Sequence, residues 1–498
     1  MSDLNLLFIT TDQWRGDCLS ALAHPTVATP HLDALAADGV LFAQHFCQAV
    51  PCGPSRASLH TGLYLMNHRS GTNGTPLDRR HVNWAQVSRD AGRDPVLFGY
   101  TDTSADPRDY DADDPALTTY EGVLPGLTPE LHHNVGDLAH WAAWLRDHGI
   151  EVPDRAFDLY THKADQVEWE DGGAAPAPLA LAAELHDTWF MTDATMAYIG
   201  RQQGPWAVHL SLYRPHPPWI APAPYNARYS PDALPPFLRA ASAEEEGAQH
   251  PWLAWQLGRR GYAVPGDEAK LRRLQASYYG LMSEVDDNLG RLFQHLKDID
   301  AWNDTLIIFT SDHGEQLGDH WLLGKTGYFD QSYHVPMIVR DPRAEADGSR
   351  GRVVDAFTEH VDVMPTLLEA LGCNTPAACD GASLYPFLTS PGPQNWREEV
   401  HWEYDFRSVT NPATEEALGL TADTCNLCVI RDTHFKYVHF AGLPALLFDL
   451  REDPSELNNL ASQSSHSDTV LEYAQRMLSW RMRHADKTLT HLALTHRT

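Results

Sequence analysis

Five consecutive residues, Cys52-Gly53-Pro54-Ser55-Arg56, set a thiol and a guanidinium one helical turn apart. They lie where the apolar Val50-Pro51 meets a helical-looking stretch, Ala57 to Tyr64. Proline suits a first helical turn, because the amide it lacks would have no partner there. The side chain at 52 therefore meets free N–H groups and the positive end of a helix dipole, which favour an anion. Arg56 adds a planar donor fork matched to oxyanions. A cysteine-nucleophile phosphatase needs its arginine further on, where this chain has Ser58, so that chemistry is excluded. The same five residues also suit an ordinary buried cysteine at a helix start. Their meaning depends on the rest of the chain.

Three more acceptors point to a divalent cation: Asp12, Asp312 and His313, with Gln13 beside the first. A cation bound there would lower the pKa of a coordinated hydroxyl and neutralise charge developing on an ester oxyanion. His313 makes the set softer than an all-oxygen cage and favours manganese, iron or zinc over calcium or magnesium. Lys325 sits between glycines in Leu322-Leu323-Gly324-Lys325-Thr326-Gly327, and His216 is fixed among prolines in Arg214-Pro215-His216-Pro217-Pro218. Either could handle an anionic substrate; a solvated loop lysine and a packing histidine fit the same residues. Asn73 and Tyr100 could donate to non-bridging oxygens, though turn and core roles suit them equally.

These groups need a scaffold that gathers distant positions. Two apolar runs, Leu4 to Ile9 and Thr305 to Thr310, end in Asp12 and Asp312. Runs of this kind read as strands buried on both faces of a parallel sheet, whose ligands collect beyond the carboxyl ends. Pro95 to Thr101 and Trp206 to Tyr213 read as further strands, and Asp33 to Gly39 as a short helix. The spacing of Leu271, Leu274, Tyr278, Leu281, Val285, Leu289 and Leu292 predicts a helix over 268–298. Residues 104–173 read as an insertion of loops and short helices. Pro391-Gly392-Pro393 marks a linker, so the expected division is a catalytic α/β domain at 1–388 and a smaller unit at 394–498. The latter should hold a small antiparallel sheet, from Asn426 to Ile430, Phe435 to Phe440 and Leu446 to Leu450, closed by a helix over 467–485.

Bulk properties narrow the partners. A net charge of −30 argues against nucleic acid or an anionic membrane surface, and means that an anionic substrate needs local positive groups. No apolar run reaches the roughly 18 residues of a membrane span, and the first residues read as a core strand, not a signal peptide. Seven scattered cysteines suit reduced thiols and a cytoplasmic location. Cys425-Asn426-Leu427-Cys428 lacks a second pair to complete a zinc site and is expected to pack.

Cys-x-Pro-x-Arg resembles the maturation signature of the sulfatase family within the alkaline phosphatase superfamily. The likeness continues through Thr11-Asp12-Gln13-Trp14-Arg15, Pro51 to Arg69, Tyr213 to Pro218, Phe309 to His320, Leu323-Gly324-Lys325, Phe448-Asp449-Leu450, Asp453-Pro454 and Asn459-Leu460. It is nearest the phosphonate monoester hydrolase branch and related arylsulfatases, because most sulfatases carry Asp-Asp and Asp-Asn where this chain has Asp12-Gln13 and Asp312-His313. The resemblance implies an alkaline-phosphatase-like, mostly parallel sheet sandwiched by helices. It implies a Cys52 oxidised to formylglycine by a maturation enzyme, and one divalent ion held by Asp12, Gln13, Asp312, His313 and position 52. Manganese is favoured, with iron, zinc or calcium as alternatives. Arg56 would steady the hydrated aldehyde, and Asn73, Tyr100, His216 and Lys325 would contact the transferring group or the leaving oxygen. One departure is Asp102, where the phosphonate hydrolases have a threonine.

The expected function is metal-dependent hydrolysis of phosphonate monoesters, phosphodiesters and sulfate monoesters through a covalent intermediate. A dedicated arylsulfatase with weak phosphoryl activity is the alternative, and a non-catalytic anion- or metal-binding protein the alternative of another class. By resemblance the chain should form a dimer or tetramer, with 479–498 as the contact segment.

Overall fold

In the computed structural model, which describes residues 4–163, 176–259, 261–490 and 493, the two longest apolar runs lie at the centre of an eight-stranded sheet. Its strands are β1 (Asn5–Asp12), β2 (Val40–Phe46), β3 (Val96–Gly99), β4 (Thr128–His132), β5 (Ala207–Pro215), β6 (Thr305–Ser311), β7 (Met337–Arg340) and β8 (Arg352–Glu359). They follow the order β4-β3-β5-β1-β6-β7-β2-β8, all neighbours parallel except around β7, which runs antiparallel to β6 and β2. Every residue of β1 and β6 is buried. Leu7, Ile9, Ile307 and Phe309 face the core that holds the Glu268–Asp298 helix. Leu6, Phe8, Leu306 and Ile308 face the opposite core, with the Cys52–Thr61 and Val363–Ala370 helices. Burial on both faces is why these strands read as unbroken apolar runs.

The Glu268–Asp298 helix spans the length its spacing predicts, and Asp267 caps it by accepting from the amides of Ala269 and Lys270. A second, antiparallel sheet comprises β9 (Val400–Asp405), β10 (Asn426–Arg431), β11 (Phe435–Phe440) and β12 (Leu446–Asp449). The Ser467–Arg483 helix lays Tyr473, Met477 and Trp480 against it. Phe46 of the large sheet stacks on Trp402 of the small one with ring centres 5.7 Å apart. Cys425 and Cys428 are buried free thiols, as packing predicts. Among the described residues no helix is long and apolar enough to cross a membrane.

The stretch 104–173 departs from its expectation of loops and short helices. It supplies β4, an edge strand of the main sheet, before the Ala139–Asp147 helix. Thr128-Pro129-Glu130-Leu131-His132 has the composition of an edge, with Pro129 and Glu130 exposed, so no apolar run announces it. Residues 164–173 lie outside the described residues, as do 491, 492 and 494–498 of the segment expected at an oligomer contact. Strands β2, β8 and β9 also escape the sequence reading, because polar residues such as Gln44, His45 and Glu403 interrupt their pattern, and β7 escapes it because its run of four residues is short.

Candidate active site

β1 and β6 pair in register, Thr11 opposite Ser311, so Asp12 and Asp312 leave the sheet side by side at its carboxyl edge. The Cys52–Thr61 helix begins at that edge, all ten of its residues buried. Ser55 Oγ donates to the carbonyl of Asp312, and Arg56 Nε donates to Asp312 Oδ2 at 3.0 Å. These ties join positions some 260 residues apart, the separation from Cys52 to His313 being 261. Asp12, Cys52, Asp312 and His313 are all buried, and their ligand atoms lie within 4.8 Å of one another. Gln13 follows β1 with a left-handed φ of 74°, its amide donating to Asp312 Oδ1 at 3.0 Å.

The donor set fits a divalent cation. Among the described residues Asp12 Oδ1 is buried without a hydrogen-bond partner. His313 Nδ1 lies 2.9 Å from the Gly314 carbonyl, which can only accept, so the proton belongs on Nδ1 and the lone pair on Nε2. Nε2 stands 3.7 Å from Asp12 Oδ1, 3.6 Å from Asp312 Oδ2 and 3.2 Å from Cys52 Sγ. A backbone carbonyl fixing the far nitrogen is how metal-binding histidines are held.

Electrostatics divide the two carboxyls. Burial opposes a charge on Asp12, but His216, Lys325, His313 and Arg56 outweigh it and hold the group well below the usual carboxylate range. Burial and the nearby charge of Asp12 push Asp312 up to about 7. Two carboxyls this close titrate as a pair and hold about one charge between them until a cation joins. Burial, with Asp12, pushes the Cys52 thiol well up. An unmodified thiol is therefore a poor nucleophile in this setting.

The other expected residues gather at the same edge. Arg56 Nη1 donates to Ser211 Oγ at 2.8 Å and to the Tyr100 carbonyl at 3.2 Å, Nη2 approaches Asp12 Oδ2 at 3.4 Å, and the guanidinium lies 4.4 Å from the centre of the Tyr100 ring. The Tyr100 hydroxyl donates to Asp12 Oδ2, so it orients that carboxylate. Asn73 Oδ1 accepts from the Gly53 amide at 2.9 Å. Lys325 Nζ donates to Gln13 Oε1 at 2.6 Å, and despite burial its acidic neighbours raise its pKa. His216 packs on Tyr213, its Nδ1 2.7 Å from the Pro217 carbonyl; burial and then Lys325 lower it to about 3, so it rests neutral.

Four supporting residues went unnoticed in the sequence. Ser55 and Ser211 anchor Asp312 and Arg56. His360 Nε2 approaches the Asp312 carbonyl at 3.1 Å, and Glu315 accepts from Gln13 and from the amides of Leu317 and Gly324. Glu315 alone left a signal, three residues after Asp312 in the run Asp-His-Gly-Glu.

A family model for sulfatases matches residues 4–373. The chain belongs to the sulfatase family. A second match, to the C-terminal region of N-sulphoglucosamine sulphohydrolase, covers residues 318–483. This sulfatase is 43% identical to the multifunctional alkaline phosphatase superfamily protein PehA of Trinickia caryophylli, over 99% of this chain and 98% of that protein. It superposes on the phosphonate monoester hydrolase of Agrobacterium radiobacter with a TM-score of 0.92 and 46% identity, covering 99% of this chain and 98% of that one. The phosphonate monoester hydrolase SpPMH of Silicibacter pomeroyi gives 0.91 and 39%, over 100% and 98%. With relatives this similar along its whole length, the sulfatase is an ester hydrolase.

Proposed function

We propose that the chain hydrolyses singly charged esters, namely phosphonate monoesters, phosphodiesters and sulfate monoesters, with a formylglycine made from Cys52 and one divalent ion. The observation that carries this reading is the meeting of Asp12, Cys52, Asp312 and His313 around one point, with an unpartnered carboxylate oxygen among them. Two similar structures bearing the name phosphonate monoester hydrolase support the phosphoryl part of the range. The encoded Sγ of Cys52 stands for the oxygens of the hydrated aldehyde. When present, that group and a cation held by Asp12, Gln13, Asp312 and His313 would supply an activated hydroxyl and a covalent ester that breaks down by C–O cleavage.

The surrounding residues have separable tasks. Arg56 offsets the charge of Asp12 and Asp312 and keeps both carboxylates turned to a shared point. Lys325 remains an ammonium and steadies charge on the non-bridging oxygens of the transferring group. His216 rests neutral, its Nδ1 proton tied to Pro217, so it must first take up a proton at Nε2 from solvent, which an arriving anionic ester favours, before it can donate to the leaving oxygen. Asn73 holds Gly53, and with it the start of the nucleophile helix. Manganese is the cation favoured by the mixed oxygen and imidazole set, ahead of iron, zinc or calcium. The reading also requires a maturation enzyme that reads residues 52–56 before they are buried.

Mass spectrometry of the tryptic peptide containing position 52 should find the aldehyde in active protein, and Cys52→Ala should abolish turnover of p-nitrophenyl esters. An alanine variant with full activity would end this mechanism. Comparing kcat/KM for p-nitrophenyl sulfate with that for a phenylphosphonate ester separates the broad activity from that of a dedicated arylsulfatase.

A further inference from the structure

The loop that carries His216 has few backbone donors of its own. Three of the five residues in Arg214-Pro215-His216-Pro217-Pro218 are prolines and lack an amide proton. Side chains take over the task of holding its carbonyls. The Trp219 indole donates to the Pro215 carbonyl at 3.0 Å, and the Tyr213 hydroxyl to that of Pro217 at 2.7 Å. Arg214 Nη1 donates to the carbonyls of His216 at 2.9 Å and Pro218 at 3.2 Å. The His216 ring turns its Nδ1 to the Pro217 carbonyl, which fixes its rotation and leaves Nε2 to carry the reacting proton.

Arg214 is itself held by a second residue. Its Nε lies 3.4 Å from Asp187 Oδ1 and its Nη2 3.2 Å from Asp187 Oδ2, and both residues are only 1% exposed. The planar fork is thus divided, one edge on the carboxylate and the remaining nitrogen on the loop. The guanidinium also lies 4.4 Å from the centre of the Tyr160 ring and 4.8 Å from that of Tyr213. Asp187 opens the Asp187–Ile199 helix, at the end where the dipole favours an anion. It accepts from the Tyr160 hydroxyl at 2.8 Å and from the Thr188 amide at 2.9 Å, and His186 Nε2 stands 3.2 Å from its Oδ1. Burial opposes a charge on Asp187, but Arg214 outweighs it and holds the carboxyl well below the usual range.

We propose that Asp187 is a positioning residue for proton transfer: through Arg214 it fixes the His216 loop and with it the place of Nε2. This rests on the ester-hydrolase reading above and adds a residue that acts only through other side chains. Once His216 has taken up its proton, Nε2 passes it to the leaving oxygen as the bond from that oxygen to phosphorus breaks. The imidazole then returns to its neutral form. Such a transfer tolerates little displacement, since a misplacement of about 1 Å can cost about a hundredfold in rate. A charged fork on a fixed carboxylate restrains a proline-rich loop better than a neutral contact would, because charge-assisted hydrogen bonds are shorter and stronger. The helix start supplies the rigid anchor that the loop lacks.

The test pairs the phenyl and p-nitrophenyl esters of phenylphosphonic acid, which differ only in how much the leaving oxygen needs a proton. The ratio kcat/KM reports the steps up to departure of that oxygen. Asp187→Asn should lower kcat/KM by about tenfold or more for the phenyl ester and by no more than about threefold for the p-nitrophenyl ester. In a His216→Gln background the same substitution should cost both esters equally, because the two residues act on one step. The imidazole resonance of His216, identified as the signal lost in His216→Gln, should move in Asp187→Asn and reads the displacement without turnover. Equal losses on the two esters in Asp187→Asn, a selective phenyl-ester loss that persists without His216, or an unmoved resonance overturns the proposal and leaves the ester-hydrolase reading standing. Hydrolysis of neither ester by the wild type overturns both. Should Asp187→Asn fail to fold, Arg214→Lys and Tyr160→Phe carry the test, and an unchanged ratio between the esters in both overturns the proposal.

Discussion

On the proposed reading, Asp312 is the residue whose state would change most on binding a cation. Its carboxyl, pushed up to about 7 by burial and by Asp12, favours the neutral form in the metal-free fold. Folded-state pKa exceeds the unfolded value, so this group contributes stability below about pH 4 and loses it as pH climbs through 7. A cation reverses that loss, because it binds the ionised form and releases the proton. Asp12, held ionised throughout, adds nothing to this balance. Adding manganese to chelated protein should therefore raise Tm more at pH 8 than at pH 5.5, and calorimetry in buffers of differing ionisation enthalpy should count about one proton released at pH 5.5 and close to none at pH 8. An equal Tm shift at both pH values would contradict the assignment. Arg56→Lys keeps the charge but cannot span Asp312, Ser211 and the Tyr100 carbonyl. It should cost about 1.5–3 kcal/mol of stability, measured by urea unfolding, along with most of the activity. Asp12, Cys52, Asp312 and His313 were legible from sequence because each sits where an element starts or stops. Ser211 was not: nothing in Ala207–Pro215 distinguishes a serine turned to Arg56 from one that fills a buried strand.

Among the elements that position the site, the turn after β6 leaves little room. A Cβ on Gly314 would sit 2.0 Å from the Gln331 carbonyl, a backbone atom that cannot swing aside. Gly314→Ala should displace Asp312 and His313 together and abolish cation binding in calorimetry. Normal affinity would show that the turn adapts. In the Glu268–Asp298 helix, Leu289 is fully buried, and Leu289→Ala should cost about 2–5 kcal/mol in urea unfolding. That helix could be read at both ends because its apolar stripe is unbroken and Asp267 caps it. β4 could not, because an edge strand with Pro129 and Glu130 outward carries almost no hydrophobic signal. Topology was legible only in part. Two-sided burial implied a parallel centre, yet nothing in Met337–Arg340 indicates that β7 runs against its neighbours.

For the whole molecule, charge governs encounter. At −30 the chain repels an anionic ester until Lys325 and any bound cation take over at close range. Raising salt from roughly 10 to 200 mM shortens the screening length from about 30 Å to below 10 Å. The kcat/KM for singly charged esters should then rise by a few-fold, and a fall would mean that local attraction dominates at long range. The register of β1 on β6 also has a temporal side. Cys52 loses its access to solvent only when the segment around His313, 261 residues later, has been synthesised and docked. At about 5–20 residues per second, the ribosome leaves the Cys-Gly-Pro-Ser-Arg segment open for tens of seconds. The chain thus carries its own delay, the interval in which the oxidation proposed for Cys52 would have to occur, and it closes once synthesis has passed the second aspartate.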